Sequence, residues 1–335
     1  MHLKWAIIGG GSIAEDFVKD LAYSKEGTHE VVGVVSQHLD SAQEFAEKFH
    51  IPHYYDDFDQ LLADTEATVA YIATPHPLHH SQCIQLLEKG IPVLCEKPLG
   101  INSREVRSII ETSRKHGMFF MEAMWIRFLP SITKVLDIVQ SGRIGKVQSV
   151  VADMTYKAPY ADDNRYFNPE LGGGALLDLG IYGIFLSTLL NGKPTAIRAV
   201  AKLSPRQVDE SCSMLLEYPE GVYANLDASF VKQSELNAFI FGDDAYIKIL
   251  PKWLEDTAGL EIREYGKEGH AEKIDVSWEG HGFQFEIDEV VRCLREGKRE
   301  SEVHPHQASL DLVEIMDDVR RQTGIRYPSD EEAGA

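Results

Sequence analysis

Across the first 122 residues, short apolar runs alternate with stretches whose apolar positions recur every three or four residues. "KWAIIGG", "EVVGVVS", "TVAYIAT", "IPVLCEK" and "MFFMEAMW" are apolar blocks of strand length. Between the first two, "SIAEDFVKDLAYS" places Ile13, Phe17 and Leu21 four apart on one helical face. "SAQEFAEKF", "HSQCIQLLEKG" and "SREVRSIIETSRKHG" repeat the helical pattern. Asp40 followed by Gln43 is a capping signature for the first of these, Gly90 stops the second, and Asn102 or Ser103 caps the third. Strand and helix alternating without hairpin turns predicts a doubly wound parallel sheet covered by helices on both faces.

The period then changes. After a helix in "SITKVLDIVQSG", Val222, Ala224, Leu226, Ala228 and Phe230 share one face of a strand, with Tyr223, Asn225, Asp227 and Ser229 opposite. "EYPEGVY" and "FGDDAY" carry hairpin-turn residues. Strands joined in this way predict an α+β domain with a large, open, mainly antiparallel sheet, one face able to look outward. Two helices, "GFQFEIDEVVRCLREGK" and "QASLDLVEIMDDVRRQTG", close the chain, and "SDEEAGA" reads as a frayed acidic tail. The boundary is placed near Ala123, giving domains 1–122 and 123–335.

Composition adds limits. With 335 residues, 44% hydrophobic and 26% charged, the chain has enough apolar material for two cores. The net charge of −20 disfavours nucleic acid and anionic membranes as partners but leaves room for a small anionic ligand at a local site. Cys83, Cys95, Cys212 and Cys293 show no metal-like or CxxC spacing and read as buried, reduced thiols. No signal peptide precedes the first strand and the apolar runs look too short to span a bilayer, so a cytoplasmic protein is expected.

Two stretches carry candidate chemistry. "IIGGGSIAEDF" gives Gly9-x-Gly11-x-x-Ala14 directly after the first strand, with Ser12 and Ile13 opening the helix. A turn without side chains lets a pyrophosphate approach backbone N–H groups at a helix N-terminus. A plain tight turn is the alternative, but the βα units that follow favour a dinucleotide. The second strand ends in Ser36, Gln37 and His38, with neither a carboxylate for a ribose diol nor an arginine. The missing carboxylate tilts the choice between NADP and NAD toward NADP. Downstream, "VLCEKPLG" ends a strand on Glu96, Lys97 and Pro98, on the rim that carries the glycine turn. "ELGGGALLDLGIYGIF" runs from Gly172–Gly174 into a helix bearing Asp178 and Tyr182, four apart. A buried Asp–Tyr hydrogen bond without chemistry is the competing explanation for that pair.

Together, "GGGSIA", "EKPLG" and "GGGALLDLGIY" resemble the glucose–fructose oxidoreductase and inositol dehydrogenase (Gfo/Idh/MocA) family. "HPLHHSQC", "MEAMWIRFLP" and the closing Tyr327-Pro328 are similar to its dihydrodiol and D-xylose dehydrogenase branch. The resemblance implies a Rossmann domain, hydride transfer between NAD(P) and a sugar or diol carbon, and a homodimer formed through the second domain's sheet. It implies Lys97 and Tyr182 as the catalytic pair, and Thr74, Pro75 and His76 next to the cofactor with His79 near the same loop, a capping or packing role being the alternative for His79. Asp178 would then position the substrate hydroxyl or the lysine. A histidine stands in most relatives where this chain has Tyr182, and the branch carries arginines where it has Gln37 and Ser41. Either Tyr182 or Lys97 moves the proton. Trp125, Arg127 and Phe128 wall the substrate or pack a domain junction, and Arg165 reaches substrate or pairs with Asp162 or Asp163. The clusters His76, His79, His80 and His304, His306 are not read as metal sites, because Pro77 and Pro305 break any helix that would align them. A nucleotide-binding regulatory protein without catalysis is the rival reading.

Overall fold

The computed structural model describes residues 1–161, 164–254, 259–267 and 270–333. In chain order its first elements are β1 (His2–Ile8), α1 (Ser12–Asp20), β2 (Thr28–Val35), α2 (Leu39–Phe49), β3 (Tyr54–Tyr55) and α3 (Phe58–Asp64). β4 (Val69–Ile72), α4 (His79–Glu88), β5 (Val93–Glu96), α5 (Ser103–His116) and β6 (Phe120–Ala123) follow. The next are α6 (Pro130–Gln140), β7 (Val147–Thr155), α7 (Ile181–Asn191), β8 (Ala196–Leu203), β9 (Asp209–Glu217) and β10 (Tyr223–Ser229). The last are β11 (Ala238–Gly242), β12 (Ala245–Ile249), β13 (Leu260–Glu264), β14 (Glu272–Ile274), α8 (Phe283–Arg295) and α9 (His306–Thr323).

The chain divides into two compact units, Met1–Phe128 with Glu279–Leu310, and Leu129–Trp278 with Asp311–Ala335. The first unit holds a six-stranded sheet, all parallel, in the order β3-β2-β1-β4-β5-β6. β4, β5 and β6 are buried at every position, as strands covered on both faces must be. The chain winds one way from β1 to β2 and the other way from β4 onward. The carboxyl ends of β1 and β4 therefore border the switch point where such sheets take ligands. Phe17 stacks on Tyr71 with ring centroids 3.7 Å apart and meets Trp5 edge-on at 5.1 Å. α8 closes this core with Phe283, Ile287, Val290 and Val291.

Several local expectations hold and others fail. Asn102 caps α5, accepting the Glu105 N–H at 3.1 Å, and all four cysteines are buried and free of disulfides. α2, however, starts at Leu39 with His38 as its uncapped N-cap, and Gln43 bonds Glu47 instead, so the Asp40 capping signature is not used. Ile13 is 42% exposed while Phe17 is fully buried, because Ile13 stands in the first turn of α1, beyond the core. The stretch Pro169–Asn191 is, by length and composition, apolar enough to cross a bilayer, contrary to the expectation. Most of that stretch is buried, which is how a core helix acquires the same composition.

The second unit holds an eight-stranded sheet in the order β14-β13-β12-β11-β7-β10-β9-β8. Only β7 and β10 run parallel; the other pairs are antiparallel. The helical segment 176–191 lies against one face. A Cβ on Gly180 would stand 3.4 Å from Ala228, and one on Gly183 3.3 Å from Leu226, so two glycines three apart let helix and sheet approach closely. Edge strand β8 is blunted by Gln322, which accepts from the Ala199 N–H at 3.1 Å and donates to the Ile197 carbonyl at 2.9 Å. The tail is not simply frayed. Pro328–Ala333 forms a short helical turn and Asp330 pairs with Arg320, while Gly334 and Ala335 lie outside the described residues.

Candidate active site

In the first unit the candidate cofactor residues gather on one rim of the sheet. Gly9 follows β1 with φ +99°, and a Cβ there would come within 2.7 Å of the Ala73 carbonyl oxygen. Its N–H donates to Val35 at 2.8 Å, so the turn is stitched to the end of β2. Gly11 differs: a Cβ on it would meet nothing within 4 Å. It is the N-cap of α1 and supplies no side-chain cap, so the helix opens with its N–H groups uncapped. No protein neighbour excludes a side chain at Gly11, and a pyrophosphate lying on the helix N-terminus would. The residues present fit a dinucleotide. Ser12 and Ile13 are exposed beside it; Ser36 and Gln37 end β2, half-buried and exposed.

Thr74 donates to Gln82 at 2.6 Å, Pro75 is exposed and His76 is buried. His79 is fully buried, with Nδ1 2.8 Å from the Pro98 carbonyl and Nε2 2.8 Å from the Thr74 carbonyl. It is a strut between the loop after β4 and the loop after β5. Burial pushes its pKa down despite these two acceptors. Only an imidazolium donates to both carbonyls at once, so in the neutral form one contact goes without its proton.

Lys97 is half-buried at the end of β5 and the Lys97–Pro98 peptide is cis. Beneath it lies an acid network that the sequence did not reveal. Tyr71 donates to Glu96 at 2.6 Å, and the Lys97 N–H to the same carboxylate at 3.2 Å. Burial raises the Glu96 carboxyl to about 7, against the opposing pull of Tyr71 and Lys97. Glu286 of α8 is fully buried, and neither carboxyl oxygen has a hydrogen-bond partner among the described residues. Burial, then the charges of Glu96 and Asp20, push it well above the carboxylate range. Its signal was available: an acid between Phe283 and Ile287 on the apolar face of a helix. Glu122 accepts from the Leu99 N–H at 3.0 Å and lies 3.2 Å from His304. Burial works to raise it, but His304, Ser309 and Leu99 outweigh burial and leave it lowered.

Trp125 stacks on Phe283 at 5.7 Å, Phe128 packs against the first unit's core, and the Arg127 Nε donates to the Val303 carbonyl at 3.0 Å. In the second unit, Asp178 and Tyr182 are both buried, on the helical segment that begins with a π-helical turn at Leu176–Gly180. Such turns widen a helix locally and recur at functional sites. Arg165 lies 3.4 Å from Asp178 and over the Tyr166 ring at 4.4 Å. Asp162 and Asp163, its expected surface partners, lie outside the described residues. Among the described residues no three His, Cys, Asp or Glu side chains group as a metal site.

Residues 3–124 match a family model for oxidoreductases with an NAD-binding Rossmann fold, and residues 132–248 match the GFO/IDH/MocA C-terminal domain. The chain belongs to the Gfo/Idh/MocA oxidoreductase family. Among Gfo/Idh/MocA relatives, it is 35% identical to trans-1,2-dihydrobenzene-1,2-diol dehydrogenase of Mus musculus, over 98% of this chain and 99% of that one. The Homo sapiens protein of that name is 33% identical with the same coverage. A 3-ketoreductase from Actinomadura kijaniata, solved with NADP and TDP-benzene, superposes with TM-score 0.85 at 25% identity, covering 96% of this chain and 98% of that one. Aldose-aldose oxidoreductase from Caulobacter crescentus, at TM-score 0.87 and 22% identity over 97% and 98% of the two chains, shares the fold. This Gfo/Idh/MocA chain is a nicotinamide-dependent dehydrogenase, and the non-catalytic alternative is set aside.

Proposed function

We propose that the protein transfers hydride between NADP or NAD and a CH–OH carbon of a trans-diol or sugar, with Lys97 and Tyr182 as its catalytic pair. The observation that carries the reading is Gly11: an open glycine at an uncapped helix start, on the rim that also bears Lys97. The relatives' diol dehydrogenase name supports the substrate class. When bound, a nicotinamide supplies the two-electron acceptor or donor. The protein must do the rest: hold the hydroxyl and move its proton.

Gly9, Gly11 and Ser12 receive the pyrophosphate, Ser36 and Gln37 the adenosine ribose, and Thr74 to His76 line the adjoining loop. Tyr182 acts as general acid/base. A free phenol ionises near pH about 10, so an ammonium is needed to favour its phenolate at neutral pH. Lys97 fills that role and holds the substrate oxygen. Asp178, with Arg165, orients the substrate. We further propose a cytoplasmic homodimer whose contact is the outer face of the eight-stranded sheet. Phe239, Phe241, Tyr246 and Tyr265 cluster there with successive ring centroids 5.4–6.1 Å apart, and Val200 is 71% exposed.

The test is spectrophotometric. With NADP⁺ or NAD⁺ and a panel of aldoses and trans-diols, reduced cofactor is expected to accumulate for at least one member. Silence across the panel despite tight cofactor binding contradicts the substrate reading. Light scattering gives the oligomer, and a monomer at micromolar concentration contradicts the dimer.

A further inference from the structure

The geometry points to a clamp, made by Asp209 and Tyr327, that positions the helical segment carrying Asp178 and Tyr182; as a catalytic device it rests on the role given to Tyr182 above. The segment starts at Ala175, a residue with no side chain able to cap it. The first N–H groups of a helix need acceptors from elsewhere. Asp209, the first residue of β9, supplies one: it is fully buried and accepts the Leu176 N–H at 2.6 Å. An acid taken fully out of water is expensive, so its presence needs a compensating contact.

Tyr327 holds the preceding residues. Its buried hydroxyl donates to the Gly173 carbonyl at 2.7 Å. Gly174 lies between the two jaws with φ +121°. A Cβ there would strike the Asp209 carboxylate and stand 2.9 Å from the Tyr327 hydroxyl. Tyr327 is itself fixed. Arg320, buried near the end of α9, lies over its ring at 4.8 Å and pairs with Asp330, which accepts the Tyr327 N–H at 2.9 Å. The end of the described chain thus grips the backbone at 173–176, two residues before Asp178 and six before Tyr182. Both jaws are positioning residues acting through the helix start. Tyr327 lies beyond residue 248, where the matched domain model ends.

Tyr327→Phe removes one hydroxyl and keeps the buried ring, so the fold is retained. Amide hydrogen exchange over residues 174–182 is expected to quicken by about five- to ten-fold, as loss of one buried hydrogen bond implies. kcat is expected to fall by a similar factor with cofactor Kd unchanged. Asp209→Ala is expected to do the same more strongly, and Asp209→Asn, which retains an acceptor for the Leu176 N–H, to recover most of the loss. Unchanged exchange at 174–182 in Tyr327→Phe overturns the clamp. Quickened exchange with unchanged kcat overturns its catalytic role. Tyr182→Phe, assayed alongside, reports separately whether Tyr182 has the role on which that part depends.

Discussion

The chain contains two triple glycines, Gly9–Gly11 and Gly172–Gly174, and they solve different problems. At the first, the end residue opens onto empty space and its helix N-terminus carries no side-chain cap. At the second, the run is packed against protein. A Cβ on Gly173 would meet the Arg165 carbonyl oxygen at 2.5 Å, and one on Gly174 would meet Asp209 and Tyr327. The first run leaves room for a ligand, while the second leaves room for the protein's own backbone and an internal acid. Identical letters before a helix therefore do not imply a shared role; the neighbour that would collide decides it.

The largest expected destabilisation by a substitution falls on the closed run. Gly174→Ala forces a methyl into the clamp at a φ that L residues avoid, and is expected to destabilise the second unit by about 2–4 kcal/mol, read from denaturant midpoints. A stability equal to wild type would mean that the run is not packed as described.

Next comes a pH effect. Burial raises Asp209 to about 7, while hydrogen bonds from Leu176 and the charge of Arg320 oppose the shift. A carboxyl raised on folding favours the fold while protonated. Its contribution is present below about pH 4 and is lost as pH rises through about 7. Between those limits wild type should lose roughly 3–4 kcal/mol relative to Asp209→Asn. Parallel stability–pH curves for the two proteins would contradict the shift. Glu96, raised to about 7 by burial in the first unit, contributes with the same sign.

The smallest effect on stability belongs to the open run. Gly11→Ala should leave the melting temperature within about 1 °C of wild type, since its methyl meets no protein atom. It should nevertheless weaken NADP or NAD binding at least tenfold, measured by fluorescence titration. Unaltered affinity would remove the ligand from this turn.

Much of this was legible in the chain because periodicity carries it. The continuous apolar runs of β4 and β5 announced a covered parallel sheet, and the alternation in β10 announced the second sheet. Asn102 and the glycine turn were readable because capping and phosphate approach are local. The remainder was hidden because it is non-local. Asp209 reaches Leu176 across 33 residues and Tyr327 reaches Gly173 across 154. α8 reads as part of the closing pair, yet it completes the first unit's core, and its acid Glu286 gains meaning only beside Glu96. A packing role for His79 was readable, but its two acceptors, 5 and 19 residues away, were not.

The most direct test of the proposed chemistry is the single-turnover rate of Tyr182→Phe, measured with a substrate from the panel and saturating cofactor. A drop of about 10²–10⁴-fold with cofactor Kd unchanged is predicted for loss of the general acid/base. A rate within about twofold of wild type would contradict Tyr182 as the proton carrier and transfer that role to Lys97.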